Sequence, residues 1–319
     1  MNPEPKTGKI PLLIVAGPTA TGKSALAMEL AVRLNTDIIS ADSAQVYRGL
    51  DIGTAKPAAE EQRQVKHHLI DLVDPDQGFS AADFQMEADL IIGQLWQGGK
   101  LPLMAGGTGL YIKAVTDRFA FGPKGADPEI RAALEKQTGA EGLDYLYSRL
   151  KRIDPQAAER IHPHDRKRIT RALEVYALEG KPISEQVAQT KNRESPYRLI
   201  YFALSMERGA LYERIDKRVD TMMGQGFLDE VRGLYARGYN QKSPGMQILG
   251  YRQLLSYLQG IMSLEEAVAE IKKQTRNFAK RQLTWFRREK RIEWVEINEM
   301  ISFNDLAENI YLKVKDITQ

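Results

Sequence analysis

"KIPLLIVAGPTATGKSALAMELAVRL" occupies residues 9–34. "KIPLLIVAG" is a short apolar run that reads as a buried strand, and "ALAMELAVRL" carries apolar residues at helical spacing. Between them "GPTATGKS", residues 17–24, fits G-x-x-x-x-G-K-[ST] in the strand–loop–helix setting that a phosphate loop requires. Glycines let successive backbone amides face an anion, Lys23 adds a point charge, and the helix N-terminus adds its dipole. Gly17, Pro18, Thr19, Ala20, Thr21, Gly22, Lys23 and Ser24 are therefore the candidate phosphate-binding residues, and Ser24 the candidate magnesium ligand. A glycine-rich turn with no ligand leaves the Lys-Ser pair at the helix start unexplained.

Outward from this loop, strand and helix signals alternate. "TDIIS" at 36–40, "HHLIDLV" at 67–73 and "LPLMAGG" at 101–107 read as strands. "FSAADFQMEADLIIGQLWQGG" reads as a helix capped by Ser80, with Phe84, Ala88, Ile91 and Leu95 on one face. Such alternation predicts a P-loop parallel sheet flanked by helices, an α/β fold whose first part spans 1–120.

Strand signals then stop. Asp127-Pro128 and Asp154-Pro155 each read as an N-cap with a first-turn proline, and Gly180-Lys181-Pro182 closes the helix "DRKRITRALEVYALE". This predicts an all-helical insert over 121–196. "RLIYFALSM" returns the chain to the sheet, so 197–319 reads as core continuation and a helical C-terminal region. There Gly224 and Gly226 break a helix, Ser263 with Glu266 forms a capping box, and "IEWVEI" suits an edge strand.

Composition narrows the chemistry. Zero cysteines among 319 residues exclude disulfides, thiolate catalysis and cysteine-containing zinc sites, and four histidines argue against a histidine-rich metal centre. No apolar run approaches the roughly 18 residues of a membrane span, and the N-terminus lacks a signal peptide's apolar core. The cytoplasm is the expected compartment. Net charge is +3 but unevenly spread: residues 149–198 hold 12 Lys/Arg against 7 Asp/Glu. Residues 272–291 hold 9 Lys/Arg and one Glu, with Phe278, Trp285 and Phe286 interleaved. A polyphosphate backbone would require such clusters. The same segment also reads as a solvated helix face with a buried aromatic stripe.

A phosphate loop alone specifies only that phosphates bind. The strand ending "LMAGGTG" lacks the aspartate that nucleotide hydrolases use for magnesium, and no guanine-reading N-K-x-D follows. Attention therefore falls on "IISADSAQVYRGLDIGTAKP", residues 38–57. In a doubly wound sheet, ligands bind outside the strand carboxyl ends, which places Asp42 at the crevice of Lys23. Three readings of Asp42 are open: a helix cap, a magnesium ligand, or a base.

Six blocks, "GPTATGKSALA", "IISADSAQVYRGLDIGTAKP", "HHLIDLVDP", "AGGTGLYIKA", "DRKRITRALEVY" and "GMQILGYRQL", together resemble the tRNA dimethylallyltransferases, in order across residues 10–290. The resemblance implies transfer of a dimethylallyl group from dimethylallyl diphosphate to the exocyclic amine of adenosine 37 in tRNA, with diphosphate released. Asp42 is then the general base, and Lys23 with magnesium holds the leaving diphosphate. Asp42, Ser43, Ala44 and Gln45 would meet the flipped adenine, since an amide matches adenine's donor and acceptor. By the same resemblance Thr108 lies in the reaction channel and Arg218 binds diphosphate, although Asp216 and Asp220 offer Arg218 an ion pair instead. Arg166, Lys167, Arg168, Ile169 and Thr170, with Gln247, Gly250, Tyr251 and Arg252, are the implied contacts to the tRNA anticodon stem-loop. A basic helix end within an ordinary bundle is the alternative for each segment. The loop 53–57, with Lys56, has no assigned role, and contact of 272–291 with tRNA stays open. A monomer is expected. Competing functions are an adenylate isopentenyltransferase, a small-molecule kinase with Asp42 as base on a hydroxyl, and a non-enzymatic RNA-binding protein.

Overall fold

A computed structural model describes residues 8–122, 127–191, 194–298 and 301–317. The chain parts into two compact units: residues up to Ile112 together with those from Pro196 onward, and Lys113–Ser195.

The first unit opens with β1 (Ile10–Ala16), α1 (Lys23–Leu34), β2 (Ile38–Ser40), α2 (Ala59–Gln64), β3 (His67–His68), α3 (Ala81–Gln97), β4 (Leu103–Gly106) and α4 (Gly109–Thr116). The division between units falls inside α4, earlier than the change of pattern after residue 120 suggests. The second unit contains α5 (Pro128–Glu141), α6 (Leu143–Ile153), α7 (Pro155–Arg160), α8 (Arg166–Glu179) and α9 (Ile183–Lys191). The first unit resumes with β5 (Tyr197–Met206), α10 (Arg208–Gly224), α11 (Phe227–Ala236), α12 (Tyr251–Leu258), α13 (Leu264–Phe286), β6 (Glu293–Ile297) and α14 (Phe303–Val314).

The strands form one sheet in the order β3-β2-β4-β1-β5-β6, every pairing parallel. β1 is fully interior: Leu12 through Ala16 are buried, the near-continuous apolar run of a strand covered on both faces. Its register, Ala16 opposite Gly106 and opposite Ala203, brings the carboxyl ends of β1, β4 and β5 to one level. One face packs Leu13, Val15, Phe202 and Leu204 against Leu26 and Leu30 of α1 and Ile310 and Val314 of α14.

Local chemistry sets the helix ends. Ser80 and Asp83 form a reciprocal capping box on α3, as Ser263 and Glu266 do on α13. The buried stripe of α3 is Phe84, Ala88, Ile92 and Leu95. Ile92 is fully buried in the place assigned to Ile91, which is itself half-buried at the margin of the same face. Of "HHLIDLV" only His67–His68 pairs as a strand; Leu69 and Asp71 have positive φ, which breaks the extended chain.

The helical unit has its own core of Leu134, Leu146, Leu150, Ile169, Ala172 and Leu173. Asp127 and Asp154 cap α5 and α7 ahead of first-turn prolines, as expected. Glu174 is fully buried there and is bridged by Arg131 at 2.8 Å and Arg171 at 2.7 Å. Burial pushes its carboxyl up, but these guanidiniums outweigh burial and hold it below the usual range.

Candidate active site

The candidate phosphate loop runs from the end of β1 to the first turn of α1. Gly22 is its last residue before the helix, at φ 91°, and the Phe303 ring lies against its α-carbon. A side chain there would be strained and would clash. Ala20 also holds positive φ, at 65°. The Thr21 hydroxyl donates to the Pro18 carbonyl at 2.9 Å and the Lys23 ammonium donates to the same oxygen at 2.7 Å. The loop is thus closed on itself, with Ser24 exposed on the first turn.

A buried glutamine of α13 latches this loop to the next. Gln282, 7 % exposed, accepts the Thr19 N–H at 2.9 Å and donates to the Gly107 carbonyl at 2.9 Å. Beside it the Trp285 indole lies directly against Gly109. The aromatics of 272–291 divide: Phe286 is core, whereas Phe278 and Trp285 are 38 % and 37 % exposed.

The β2 and β4 ends meet the same edge. Thr108 N–H donates to the Ala41 carbonyl at 3.0 Å, and its side-chain oxygen accepts the Ser43 N–H at 3.0 Å. Asp42 caps no helix. Its Oδ1 accepts the Ala44 N–H at 2.8 Å in a tight turn, and the next helix, α2, begins only at Ala59. The Gln45 amide is already engaged: it accepts from Ser40 Oγ at 2.9 Å and donates toward the carbonyls of Ala55 at 3.2 Å and Thr54 at 3.4 Å. An adenine contact through this amide competes with those bonds.

Arg218 completes the charge pattern. Its neighbours Asp216 and Asp220 are paired to Arg276 at 2.6 Å and Lys272 at 2.6 Å. Arg218 itself is half-buried. Burial lowers its pKa, and Asp42 works in the opposite sense. Burial first, and Arg218 second, push the Lys23 ammonium down to about 7, again opposed by Asp42. Lys23, Arg218 and Asp42, each half-buried, therefore lie near enough to influence one another.

A family model described as IPP transferase matches residues 45–289, and that match decides the question of kinship. The chain belongs to the IPP transferase family. It is 52 % identical to a tRNA dimethylallyltransferase of Moorella thermoacetica, over 91 % of each chain. It is similar to the crystal structure of a full-length tRNA isopentenylpyrophosphate transferase from Bacillus halodurans, with TM-score 0.72, 42 % identity and 97 % of each chain covered. It also matches a eukaryotic dimethylallyltransferase described as acting on tRNA, with TM-score 0.79 and 26 % identity over 96 % of this chain and 79 % of that one.

Within this IPP transferase the remaining candidate residues divide by exposure. Arg166, Lys167 and Arg168 are exposed on the first turn of α8, with Arg168 near Asp165 at 3.4 Å. Ile169 is fully buried in the helical unit's core, so it serves packing and presents no side chain to a partner. Thr170 is partly buried. Gln247 and Arg252 are exposed, whereas Gly250 caps α12 and Tyr251 is fully buried with its hydroxyl on Glu230. Gln282 and Glu230 escaped sequence reasoning, because each looks like an ordinary polar residue on a helix until its distant partners are known. Among the described residues no cluster of three His, Asp or Glu could hold a metal ion. The Ser24 hydroxyl on the first turn of α1 suits a hydrated magnesium that the phosphates themselves carry, which needs few protein ligands.

Proposed function

We propose that the chain transfers a dimethylallyl group from dimethylallyl diphosphate to the exocyclic amine of adenosine 37 in tRNA. The convergence of Lys23, Arg218 and Asp42 at one strand edge carries this reading. Two cations depressed by burial, Lys23 further by Arg218, are completed by a phosphate anion, and the lone carboxylate suits the proton that alkylation releases.

Lys23, Arg218 and the amides of residues 17–24 hold the diphosphate. As the allylic C–O bond breaks, its electron pair passes to the diphosphate oxygen, where these groups stabilise the growing charge. Magnesium, held by Ser24 and the diphosphate oxygens, would supply further charge neutralisation there. The adenine amine forms the new C–N bond, and Asp42 accepts its proton. Thr108 orients the Ser43 turn beside Asp42 through its bond to the Ser43 amide. Ser43 is exposed beside Asp42 and is the better placed of the pair with Gln45 to meet the base.

The α8 end supports an RNA partner. Three cations stand on the first turn of a helix, where the dipole disfavours positive charge and where the N-cap Asp165, paired to Arg168, is the acidic neighbour. Stability does not explain that placement, whereas backbone phosphates would. Exposed Gln247 and Arg252 are the proposed contacts to unstacked bases.

Incubation with labelled dimethylallyl diphosphate and tRNA, AMP, or ATP plus small alcohols tests the reading. Label should enter tRNA alone. Label in AMP would mark an adenylate isopentenyltransferase, and phosphorylated alcohol a kinase.

A further inference from the structure

Helix α11 sends two side chains to one loop. The Glu230 carboxylate accepts the N–H groups of Asp51 at 3.0 Å and Ile52 at 2.7 Å through Oε2. Its Oε1 accepts the Gly53 N–H at 3.3 Å and the Tyr251 hydroxyl at 2.5 Å. Three successive amides turned onto one anion make a nest, filled here by the protein's own carboxylate. Phe227, one turn earlier on α11, is the floor beneath it. A Cβ on Gly53 would stand 2.2 Å from the Phe227 ring, and one on Gly250 would stand 2.8 Å from it. Tyr251 packs edge-on against the same ring, with centroids 5.0 Å apart. Glu230 and Phe227 therefore join "GLDIGTAKP" (49–57) to "GMQILGYR" (245–252).

The far side of the loop reaches the candidate active site, because the Thr54 and Ala55 carbonyls are the ones that hold Gln45. Lys56 closes the loop from beneath. Its side chain is 3 % exposed, and its ammonium donates to Asp51 at 2.5 Å, Asp71 at 2.6 Å and the Tyr47 carbonyl at 2.9 Å.

We propose that Glu230 is a positioning residue for prenyl transfer: its nest fixes residues 51–56, whose carbonyls set Gln45 and the turn that carries Asp42. Through Tyr251 the same carboxylate ties that setting to the 245–252 segment. The inference rests on the transfer reaction proposed above. A carboxylate suits this place because each oxygen serves two donors; a glutamine NH2 would face the Asp51 and Ile52 N–H groups in one orientation, and in the other the Gly53 N–H and a Tyr251 hydroxyl that must turn from donor to acceptor. Misplacement of about 1 Å costs on the order of 10²-fold in rate.

The test compares wild type, Glu230→Gln, Tyr251→Phe and the double variant. The readouts are single-turnover transfer to an anticodon stem-loop, stem-loop affinity, melting and amide exchange at 51–53. Glu230→Gln is expected to lose tenfold or more in single-turnover rate, with affinity changed less than about threefold and faster exchange at 51–53. Tyr251→Phe keeps the ring and removes one bond of four, so a smaller loss is expected, and the double variant should be no slower than Glu230→Gln. A folded Glu230→Gln protein with wild-type rate, or with unaltered exchange at 51–53, would overturn the proposal. Fully additive losses would overturn the link through Tyr251. If Glu230→Gln does not fold, a wild-type rate in Tyr251→Phe overturns it. An inactive wild type would instead strike down the proposed reaction, a result distinct from active wild type with equally active variants.

Discussion

Lys23 feels the charge of Arg218 and donates its ammonium to the Pro18 carbonyl. A bound diphosphate favours the charged lysine, so binding raises its pKa from about 7 to a higher value. Binding then takes up a proton between those two values, and affinity falls as pH rises through that window. Titration calorimetry of diphosphate at pH 8, in buffers of different ionisation enthalpy, should show uptake approaching one proton. Lys23→Met should abolish that uptake; no uptake by wild type would mean that Lys23 does not meet the anion. At Asp42, alanine should lower single-turnover transfer by about 10²–10⁴ with stem-loop affinity far less affected. A near-normal rate would assign the carboxylate to its turn alone. Both residues were legible from motif and strand position. Gln282 was not, because its partners Thr19 and Gly107 lie 263 and 175 positions away.

Among the elements, the strands and long helices follow their apolar periodicity closely, since burial of one face decides both. The short pieces do not: "HHLIDLV" yields a strand of two residues and a lone bridge from Val73 to Tyr47, because bends at Leu69 and Asp71 serve hydrogen bonds to the 45–48 segment rather than a ladder. Glycine contrasts sharpen the point. Gly93 lies within α3 with open space at its Cβ, so Gly93→Ala should stabilise the protein by about 0.5–1 kcal/mol. Gly53→Ala drives a methyl into Phe227 and should cost about 1–3 kcal/mol. Urea melts of the two variants check the opposite signs. Equal effects would mean that the loop yields freely to the added methyl.

For the whole molecule, charge placement is the readable property and its use the tested one. Arg166→Ala, Lys167→Ala and Arg168→Ala combined should weaken stem-loop binding. The log–log salt slope should become shallower by roughly 2–3 units, at about 0.7–0.9 per phosphate contact. Affinity from low to moderate salt, with a melting curve to confirm folding, measures this. An unchanged slope in the folded triple variant would take α8 out of the RNA interface. The parallel sheet and the helical stretch were legible because alternation and its cessation are patterns of the whole chain. Charge counts alone left 272–291 ambiguous, since that segment yields both a core residue, Phe286, and half-open aromatics.

The pairing of β1 bears on how such a chain matures during synthesis. β1 leaves the ribosome first among the strands, yet its seven-residue register with β5 joins Ile10 to Tyr197 and Ala16 to Ala203. Nearly two hundred residues must emerge before that ladder closes. Until then one edge of the most apolar strand stands open to any other extended chain. The helices of Lys113–Ser195, by contrast, make core contacts that are local in sequence and close early. A nascent chain halted before β5 should therefore hold a folded helical unit beside an unfinished sheet, and it should depend most on chaperones in that interval.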